Sequence, residues 1–399
     1  MENKGALNDL RVLDLTRVLA GPICTMWLAE LGADVIKIER PGTGDEARGN
    51  PPFKNDISTF FTGINRSKRS ITLNLKSDEG KEIFREMVKV SDVVVENYRP
   101  GVMDKLGLGY SELKKINEGI IYVAISGFGQ EGPLKNAPAY DPIAQAMSGF
   151  MSINGPKGGK PYKAGPSIAD VAAGMNGIIG LLAALHVREK TGKGQMIDVS
   201  LVDAMIALQQ SENNYYFTTG QVAPRVGNDN ARNSPYGSFS ASDGDYMLAC
   251  GNNILFGKLC RDVLNRPDLA EDPRFLTMSL RSENRDELIR IITDWGMQRT
   301  VEEAVRQINA AGVPAAPVLT VADISQQEHY TKFRHMFPVI EQTGVGTITE
   351  TGVPIHMSES AVEVKSCAPM LGEHSEQILE DVLGYSAEKI AELKQNGTI

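Results

Sequence analysis

The chain has 399 residues, 42% of them hydrophobic, which predicts two or three folded domains with full cores. Its formal net charge of −9 argues against a protein that coats nucleic acid or an anionic membrane. That balance still permits a pocket for a small anion, because a few arginines are enough to build one.

Cysteine and histidine usage argues against a metal site or a disulfide framework. None of the four cysteines forms a C-x-x-C pair, and the chain has only five histidines. The segment MENKGALNDL has no signal-peptide pattern, and the longest apolar run is about half as long as a membrane span requires. We therefore expect a cytoplasmic protein that needs no metal and binds neither nucleic acid nor a membrane. The cysteines are Cys24, Cys250, Cys260 and Cys367.

The first third of the chain alternates between apolar strands and helices. This alternation is typical of a parallel sheet covered on both faces, so we predict an α/β fold. In such sheets ligands bind beyond the carboxyl ends of the strands. Strands are predicted at 10–16, 33–39, 71–76, 92–97 and 119–129, and helices at 21–32, 77–91 and 110–117, with a polar loop at 40–56.

The character of the sequence changes after about residue 219. Up to there, a helix at 170–189, a strand at 196–201 and a helix at 201–218 continue the α/β pattern. Residues 220–237 are then loop-like, and a hairpin with its turn at Asp243-Gly244 follows. Helices from about 255 to 311 and an exit segment at 312–324 complete a region that we interpret as a smaller α+β domain. Strand-like pieces after about 326 precede a last helix at 375–384.

The first strand-to-helix turn does not carry a dinucleotide-binding motif. That motif places G-x-G-x-x-G between a strand and a helix, whereas TRVLAGPICT has one glycine. The glycines of GFGQEGP follow a late strand and lead into a proline loop. The helix at 21–32 nevertheless presents free N–H groups at the sheet edge, which is a favourable place for phosphate. Arg17 and Arg40 project over the same edge, either as phosphate ligands or as solvated surface arginines.

Asp170 opens the long apolar helix within the stretch GPSIADVAAGM. Ser167 and Asp170 match S-x-x-D, the pattern of a helix capping box. The carboxylate also suits chemistry, because the helix dipole favours its ionised form and its neighbours are small. Free N–H groups of the same turn would then stabilise an oxyanion formed when Asp170 attacks a carbonyl. The local pattern does not decide between a cap and a nucleophile.

Several segments together resemble the class III CoA-transferases, the family that includes formyl-CoA transferase and carnitine CoA-transferase. The resemblance runs over nearly the whole chain in the family's order, and it is specific for the family rather than for a substrate. The segments are RVLDLTRVLAGPICTMWLAELGADVIKIERPGTGDEAR, NRSKRSITLNLKSDEGKE, DVVVENYRPGVMDKLGLGY, SGFGQEGP, AYDPIAQAMSG, SIADVAAGM, TGKGQMIDVSL and APMLGEHSEQIL.

The resemblance implies a catalytic role for Asp170. With Gly174 it occupies the family's D-x-x-x-G position, whose aspartate attacks an acyl-CoA thioester to form a mixed anhydride. The CoA thiolate returns to give an enzyme–CoA thioester, and CoA then passes to a second carboxylic acid. The expected activity is that of an acyl-CoA:carboxylate CoA-transferase without a permanently bound cofactor. Because anhydrides are sensitive to water, residues 227–237 are a candidate lid.

The resemblance also implies the architecture and the CoA contacts. The expected fold is a Rossmann-like large domain formed by 1–219 and 326–399, with a small domain at 220–325 between them. Two chains are expected to form an interlocked homodimer. The implied CoA contacts are Arg17, Leu19, Ala20, Arg40, Leu73, Lys76 and the residues between those two, Asn97, Tyr98, Arg99, Lys105, Tyr140 and Asp141.

Two departures from the family pattern concern the substrate. Oxalate-using members carry glutamine in the first turn, where this chain has Leu19, and four successive glycines where it has GNDNARNSPYG. Exchange between formyl-CoA and oxalate is therefore not predicted. The polar side chains of that stretch admit a polar or dicarboxylic acceptor.

Two alternatives to the transferase remain. An α-methylacyl-CoA racemase has the same fold but uses a histidine of a G-H-D motif, and here the triplet is Ala139-Tyr140-Asp141. A CoA-binding protein without catalysis would keep the phosphate contacts and would not need Asp170.

Overall fold

The computed structural model describes residues 5–399, and the chain divides into two compact units. The first comprises the residues up to Ser148, Ala164–Gln209 and Gln327–Ile399, and the second comprises Gly149–Lys163 and Gln210–Gln326. Residues 149–163 and 210–219, which the sequence-based domains placed in the large domain, thus belong to the second unit. The first four residues of MENKGALNDL lie outside the described part of the chain.

Thirteen strands are found within residues 5–399. They are β1 Arg11–Asp14, β2 Asp34–Glu39, β3 Phe53–Lys54, β4 Ile57–Ser58, β5 Arg69–Thr72, β6 Val93–Glu96, β7 Ile121–Ser126, β8 Met196–Ser200, β9 Tyr236–Ala241, β10 Gly244–Ala249, β11 Ala315–Pro317, β12 Val339–Gln342 and β13 Gly346–Thr349.

The same residues form eighteen α-helices, one 3₁₀ turn at Glu46–Gly49 and two π-helical turns at Leu259–Val263 and His329–Phe333. The α-helices are α1 Ala20–Glu30, α2 Thr59–Asn65, α3 Asp78–Lys89, α4 Val102–Lys105, α5 Tyr110–Ile116, α6 Asp141–Met147, α7 Phe150–Ile153, α8 Ile168–Thr191, α9 Leu201–Leu208, α10 Gln210–Thr219, α11 Asn253–Lys258, α12 Asp268–Glu271, α13 Met278–Glu283, α14 Arg285–Gly296, α15 Val301–Ala310, α16 Val321–Gln326, α17 Ser375–Leu383 and α18 Ala387–Gln395.

A six-stranded sheet in the order β5-β2-β1-β6-β7-β8 forms the centre of the first unit, and all of its pairings are parallel. The predicted α/β fold is confirmed. The strands are apolar because both faces are covered, and Leu13 of β1, for example, lies beside Ile36 of β2 and Val94 of β6, all fully buried. Parallel strands end at the same edge, so the segments after β1, β6, β7 and β8 meet there.

The helices of this unit begin where the sequence offers a cap. Helix α3 begins after Ser77, whose hydroxyl accepts a hydrogen bond from the Gly80 N–H. Its apolar face buries Phe84 and Met87 in a core that also contains Leu13 and Leu73. Burying such side chains stabilises the unit by roughly 1.5–3 kcal/mol each.

The second unit has its own core around a three-stranded antiparallel sheet in the order β11-β10-β9. The predicted hairpin is present, because Gly244 pairs with Ala241 at its end. Strand β11 comes from the exit segment at 312–324, for which no strand was predicted, and Pro317 is its last residue. As an edge strand it tolerates proline. The proposed lid at 227–237 belongs to this unit, and its role stays a prediction.

Three element predictions need correction. The strand predicted at 71–76 spans Arg69–Thr72, because the backbone turns at 73–77 and the Ser77 N–H bonds the Asn74 carbonyl. The helix predicted at 201–218 is two helices, since the chain leaves helical geometry at Gln209. Several short elements were not predicted, namely helices α2, α4, α6, α7, α16 and α18 and strands β3 and β4.

Helix α8 is long and apolar enough to cross a membrane by length and composition alone, with 24 residues and a mean hydropathy of 1.8 over its most apolar stretch. The longest uninterrupted apolar run within it is still about half of a membrane span, as the sequence indicates. Asp170, Asn176 and His186 interrupt the apolar run. In the structure one side of α8 packs on α1, α9 and β7, which is the setting of a core helix. The other side leaves Met175, Ile179 and Leu182 exposed.

Candidate active site

A cavity of about 230 Å³ lies at the carboxyl edge of the six-stranded sheet. It collects residues that directly follow β1, β6, β7 and β8, together with the start of α1 and the first turn of α8. This is where ligands bind in parallel sheets. The lining residues are Arg17, Val18, Leu19, Ala20, Glu46, Asn97, Tyr98, Arg99, Pro100, Ile125, Ser126, Gly127, Lys135, Ala137, Pro138, Ala139, Tyr140, Asp170 and Leu201.

Eight of the fifteen residues named from the sequence line this cavity, and seven do not, among them the half-buried Asn74 and Leu75. Leu73 is buried in the hydrophobic core, and Asp141 is buried beneath the start of α8. Arg40, Lys76 and Lys105 are exposed and lie outside the lining. Their contact with CoA stays a prediction. The eight that the cavity brings together are Arg17, Leu19, Ala20, Asn97, Tyr98, Arg99, Tyr140 and Asp170.

The sequence-based prediction missed some of the lining. Ser126 is the last residue of β7, and Gly127 and Leu201 directly follow β7 and β8, so the carboxyl-end rule could have found them. Glu46 opens a 3₁₀ turn inside the predicted polar loop, and Lys135 lies in the loop after β7, so no periodicity shows that they turn toward the sheet.

Arg17 is held at the cavity by three neighbours. Its guanidinium forms an ion pair with Glu46 at 2.6 Å and lies 4.9 Å from the centre of the Tyr98 ring. The Asn97 side chain bonds the Arg17 backbone at both its N–H and its carbonyl. Because the Glu46 side chain is 56% exposed, this pair is weak and an anionic ligand can replace it.

Asp170 is not part of a capping box. Ser167 occupies the N-cap position of α8, but its side chain makes no capping hydrogen bond. The first turn is capped instead by Asp141, whose Oδ1 accepts from the Ala169 N–H at 2.8 Å. Among residues 5–399, no hydrogen bond or ion pair involves the Asp170 carboxylate. Its oxygens are therefore available to a ligand in the cavity.

The pKa of Asp170 is raised from 3.8 to about 7, first by burial and then by the charge of Asp141. The expectation that the helix dipole keeps the group ionised is therefore incomplete. Loss of hydration outweighs the dipole, so Asp170 is partly protonated at neutral pH. A carboxylate that is poorly hydrated and has no protein partner is a better nucleophile than one in water.

This shift predicts the pH dependence of any reaction in which Asp170 attacks. We expect kcat/KM to rise with pH through about 7 and to level off above it, because only the ionised form is nucleophilic. The Asp141→Asn variant keeps an acceptor for the Ala169 N–H but removes the negative charge that raises the pKa of Asp170. The rise of its kcat/KM with pH should therefore occur at lower pH. The Glu46→Gln variant removes a carboxylate that does not contribute to the shift, and its midpoint should stay in place. An unmoved midpoint in Asp141→Asn would contradict this account of the pKa.

Gly174 explains how Asp170 reaches the cavity. A Cβ atom at this position would lie 2.8 Å from the Ala20 carbonyl oxygen, closer than packed atoms allow. Helix α8 therefore packs against the start of α1 because residue 174 has no side chain. The D-x-x-x-G spacing places the glycine one turn after the aspartate, so the same contact holds Asp170 beside the first turn of α1.

The histidines lie elsewhere. All five are among the described residues, and none lines the cavity. His374 accepts a hydrogen bond from the Ser70 N–H, and burial lowers its pKa. Tyr140, which stands where the racemase has its histidine, is 71% exposed at the cavity. The acid–base histidine of the racemase thus has no counterpart among the lining residues.

Residues 7–375 match the family described as CoA-transferase family III. The chain belongs to this family. Its predicted membership and its assignment as a CoA-transferase are thereby confirmed.

Curated relatives are similar over nearly the whole chain. A succinyl-CoA:mesaconate CoA-transferase of Haloarcula hispanica is 41% identical over 94% of this chain and 96% of its own length. A succinyl-CoA:glutarate CoA-transferase of Mus musculus is 38% identical over 98% of this chain and 90% of its own. An acetyl-CoA:oxalate CoA-transferase of Acetobacter aceti is 44% identical over 80% of this chain and 82% of its own.

A solved structure supports the same assignment. A CaiB/BaiF family protein from Brucella suis superposes with a TM-score of 0.84 and 37% identity, over 95% of this chain and 100% of that chain.

Proposed function

We propose that this CoA-transferase works through covalent intermediates on Asp170. A carboxylate oxygen of Asp170 attacks the thioester carbon of the donor and expels CoA thiolate, which leaves a mixed anhydride. The thiolate then attacks the Asp170 carbonyl carbon, releases the donor acid and forms an enzyme–CoA thioester. The acceptor carboxylate attacks this thioester and gives a second anhydride with free thiolate. Attack of the thiolate on the acceptor carbonyl gives the new acyl-CoA and restores Asp170.

The proposal rests on where the Asp170 side chain lies and on which groups contact it. It lines the cavity, and no hydrogen bond or ion pair within the described chain involves it. A carboxylate that is purely structural is usually satisfied by hydrogen bonds, as Asp141 is by Ala169 and Gln145. Arg17 and Arg99 line the same cavity and supply positive charge for an anionic substrate.

We propose dicarboxylic acids as substrates, with succinyl-CoA as the first donor to test. The names of the three relatives each include a dicarboxylic acid, namely mesaconate, glutarate or oxalate. A second carboxylate on the acyl group needs a cation, and Lys135, which is not among the implied CoA contacts, lines the cavity together with Arg17 and Arg99. Because Leu19 stands where oxalate-using members carry glutamine, we expect oxalate to be the poorest acceptor.

Intact-protein mass spectrometry tests the mechanism. The enzyme is incubated with succinyl-CoA, acetyl-CoA or formyl-CoA, and Asp170→Asn is treated in parallel. A CoA-sized adduct that hydroxylamine removes and that Asp170→Asn does not form would support the aspartyl thioester. A transferase that exchanges CoA but never forms the adduct would contradict it. Exchange of the α-proton into deuterated water without any adduct would favour the racemase alternative.

We also propose that the enzyme is a homodimer in which a second copy covers the free face of α8. That face exposes Met175, Ile179, Leu182 and Val187, with Ile179 63% exposed. Four large apolar side chains along one helix indicate an interaction surface. Light scattering should give twice the chain mass of 43.4 kDa. We expect Ile179→Lys to shift the mass toward one chain, whereas Lys190→Ala at the polar end of the helix should not. A wild-type monomer would overturn the proposal.

A cytoplasmic location is part of the same proposal. All four cysteines are unpaired in the structure, and three of them are buried. Unpaired buried thiols are compatible with a reducing compartment. Cell fractionation of the native host would test the location.

A further inference from the structure

The turn after β1 holds a valine in an unusual backbone conformation. Val18 has a φ of +65°, in the left-handed region that β-branched residues rarely adopt. It stands between Arg17 and Leu19, and all three line the cavity that contains Asp170. A conformation of this kind persists only where surrounding groups hold it.

Asn97 supplies the most direct restraint on this turn. Its Oδ1 accepts from the Arg17 N–H at 2.8 Å, and its Nδ2 donates to the Arg17 carbonyl at 2.7 Å. Both polar atoms of the side chain therefore bond the backbone of the residue before Val18. Asn97 follows the end of β6, the strand beside β1, so the restraint crosses between neighbouring strands.

A buried ion pair restrains the same turn from the other side. Asp45 accepts from the Val18 N–H at 3.0 Å, and Lys37 donates to the Thr16 carbonyl at 2.9 Å. Lys37 and Asp45 also bond each other at 2.9 Å, and their side chains are 0% and 1% exposed. Since neither side chain meets solvent, the pair is a rigid support for the turn.

We propose that Asn97 is a positioning residue for this enzyme. Its amide, supported by the Lys37–Asp45 pair, holds Val18 in the left-handed conformation and thereby orients Arg17 and the start of α1 toward Asp170. Asn97 then acts through the Arg17 backbone rather than by its own contact with CoA. The consequence for catalysis rests on the proposed function. The restraint of Val18 by Asn97 does not depend on the proposed function.

A double-mutant cycle between residues 97 and 18 tests this inference. Glycine adopts φ near +65° without strain, so Val18→Gly should make the restraint from Asn97 less necessary. Asn97→Ala should lower the melting temperature by about 3 °C with Val18 present and by less than half as much with glycine there. The affinity for CoA is measured by calorimetry with CoA itself. In Asn97→Ala it should be at least about tenfold lower than in the wild type. In the double variant it should lie within about threefold of the affinity of Val18→Gly.

The outcomes separate the alternatives. If Asn97→Ala weakens CoA binding equally with valine or glycine at 18, Asn97 contacts CoA directly and the inference is wrong. If the wild type exchanges no acyl-CoA, the proposed function fails, while the melting temperatures still decide whether residues 97 and 18 are coupled. Asn97→Asp serves if Asn97→Ala does not fold, because it keeps the acceptor for the Arg17 N–H and opposes the Arg17 carbonyl. Its added charge also repels CoA phosphates, so only its melting temperature is compared. The same rescue by Val18→Gly is expected, and its absence would overturn the inference.

Discussion

The Asp170→Asn variant should lose CoA exchange by at least about 10⁴-fold while it still binds CoA, because the amide is isosteric but is not a nucleophile. The cavity would keep Arg17, Asn97 and Arg99, and the removed charge repels CoA phosphates. The dissociation constant for CoA should therefore stay the same or decrease. Initial rates with succinyl-CoA and a panel of dicarboxylic acids, together with calorimetry, measure both effects.

Asp203→Asn is the matched control for this variant. Asp203 is also an aspartate in the first turn of a helix that begins at the carboxyl edge of the sheet, but it does not line the cavity. It should exchange CoA at the wild-type rate. Exchange by Asp170→Asn at a comparable rate, with deamidation excluded by mass, would refute the nucleophile.

The Gly174→Ala variant should lower kcat at least about tenfold, although alanine favours the helix. The added methyl would lie 2.8 Å from the Ala20 carbonyl, and backbone cannot move aside as a side chain can. Helix α8 would then shift away from α1 and carry Asp170 with it. Displacements of about 1 Å at a reacting group can cost about 10²-fold in rate. The KM for the acyl-CoA should change less, since its binding groups lie on other elements.

Gly180→Ala serves as the comparison on the same helix. The new methyl there would meet Cγ2 of the Ile197 side chain at 2.8 Å, not the backbone of a neighbouring helix. Both variants gain helix propensity, about 1 kcal/mol relative to glycine. Equal effects of the two substitutions on kcat would show that the approach of α8 to α1 does not position Asp170.

The sheet was predictable because most of its strands are rich in apolar residues and alternate with helices. The predictions for β1, β2, β6, β7 and β8 place each strand within a few residues of its observed bounds. The strand at β5 shows the limit of that signal. ITLNLK alternates apolar and polar residues as a strand does, yet the hydrogen bonds of the C-terminal segment turn the chain after Thr72. Local alternation does not reveal tertiary contacts of this kind.

The site was predictable where residues follow strand ends, and less so where loops contribute. Arg17, Asn97 and Asp170 are all at the cavity, as expected from the carboxyl-edge rule and the resemblance. Asp141 does not line the cavity, because its side chain caps the N-terminus of α8 by accepting a hydrogen bond from the Ala169 N–H. The S-x-x-D pattern suggested that Ser167 was the cap. The true capping residue lies 28 positions before Ala169, at a separation that no local motif reports.

The raised pKa of Asp170 has a consequence for engineering. A carboxyl group whose pKa is about 7 in the folded chain and near 3.8 when solvated destabilises the fold as pH rises from about 4 to 7, and the penalty is complete above that range. At pH 8 the Asp170→Asn variant should therefore melt at a higher temperature than the wild type. Directed evolution that selects only for heat tolerance in alkaline buffer would favour loss of the carboxylate. A library built on this scaffold needs an activity screen at every round, because otherwise the most heat-stable variants will lack activity.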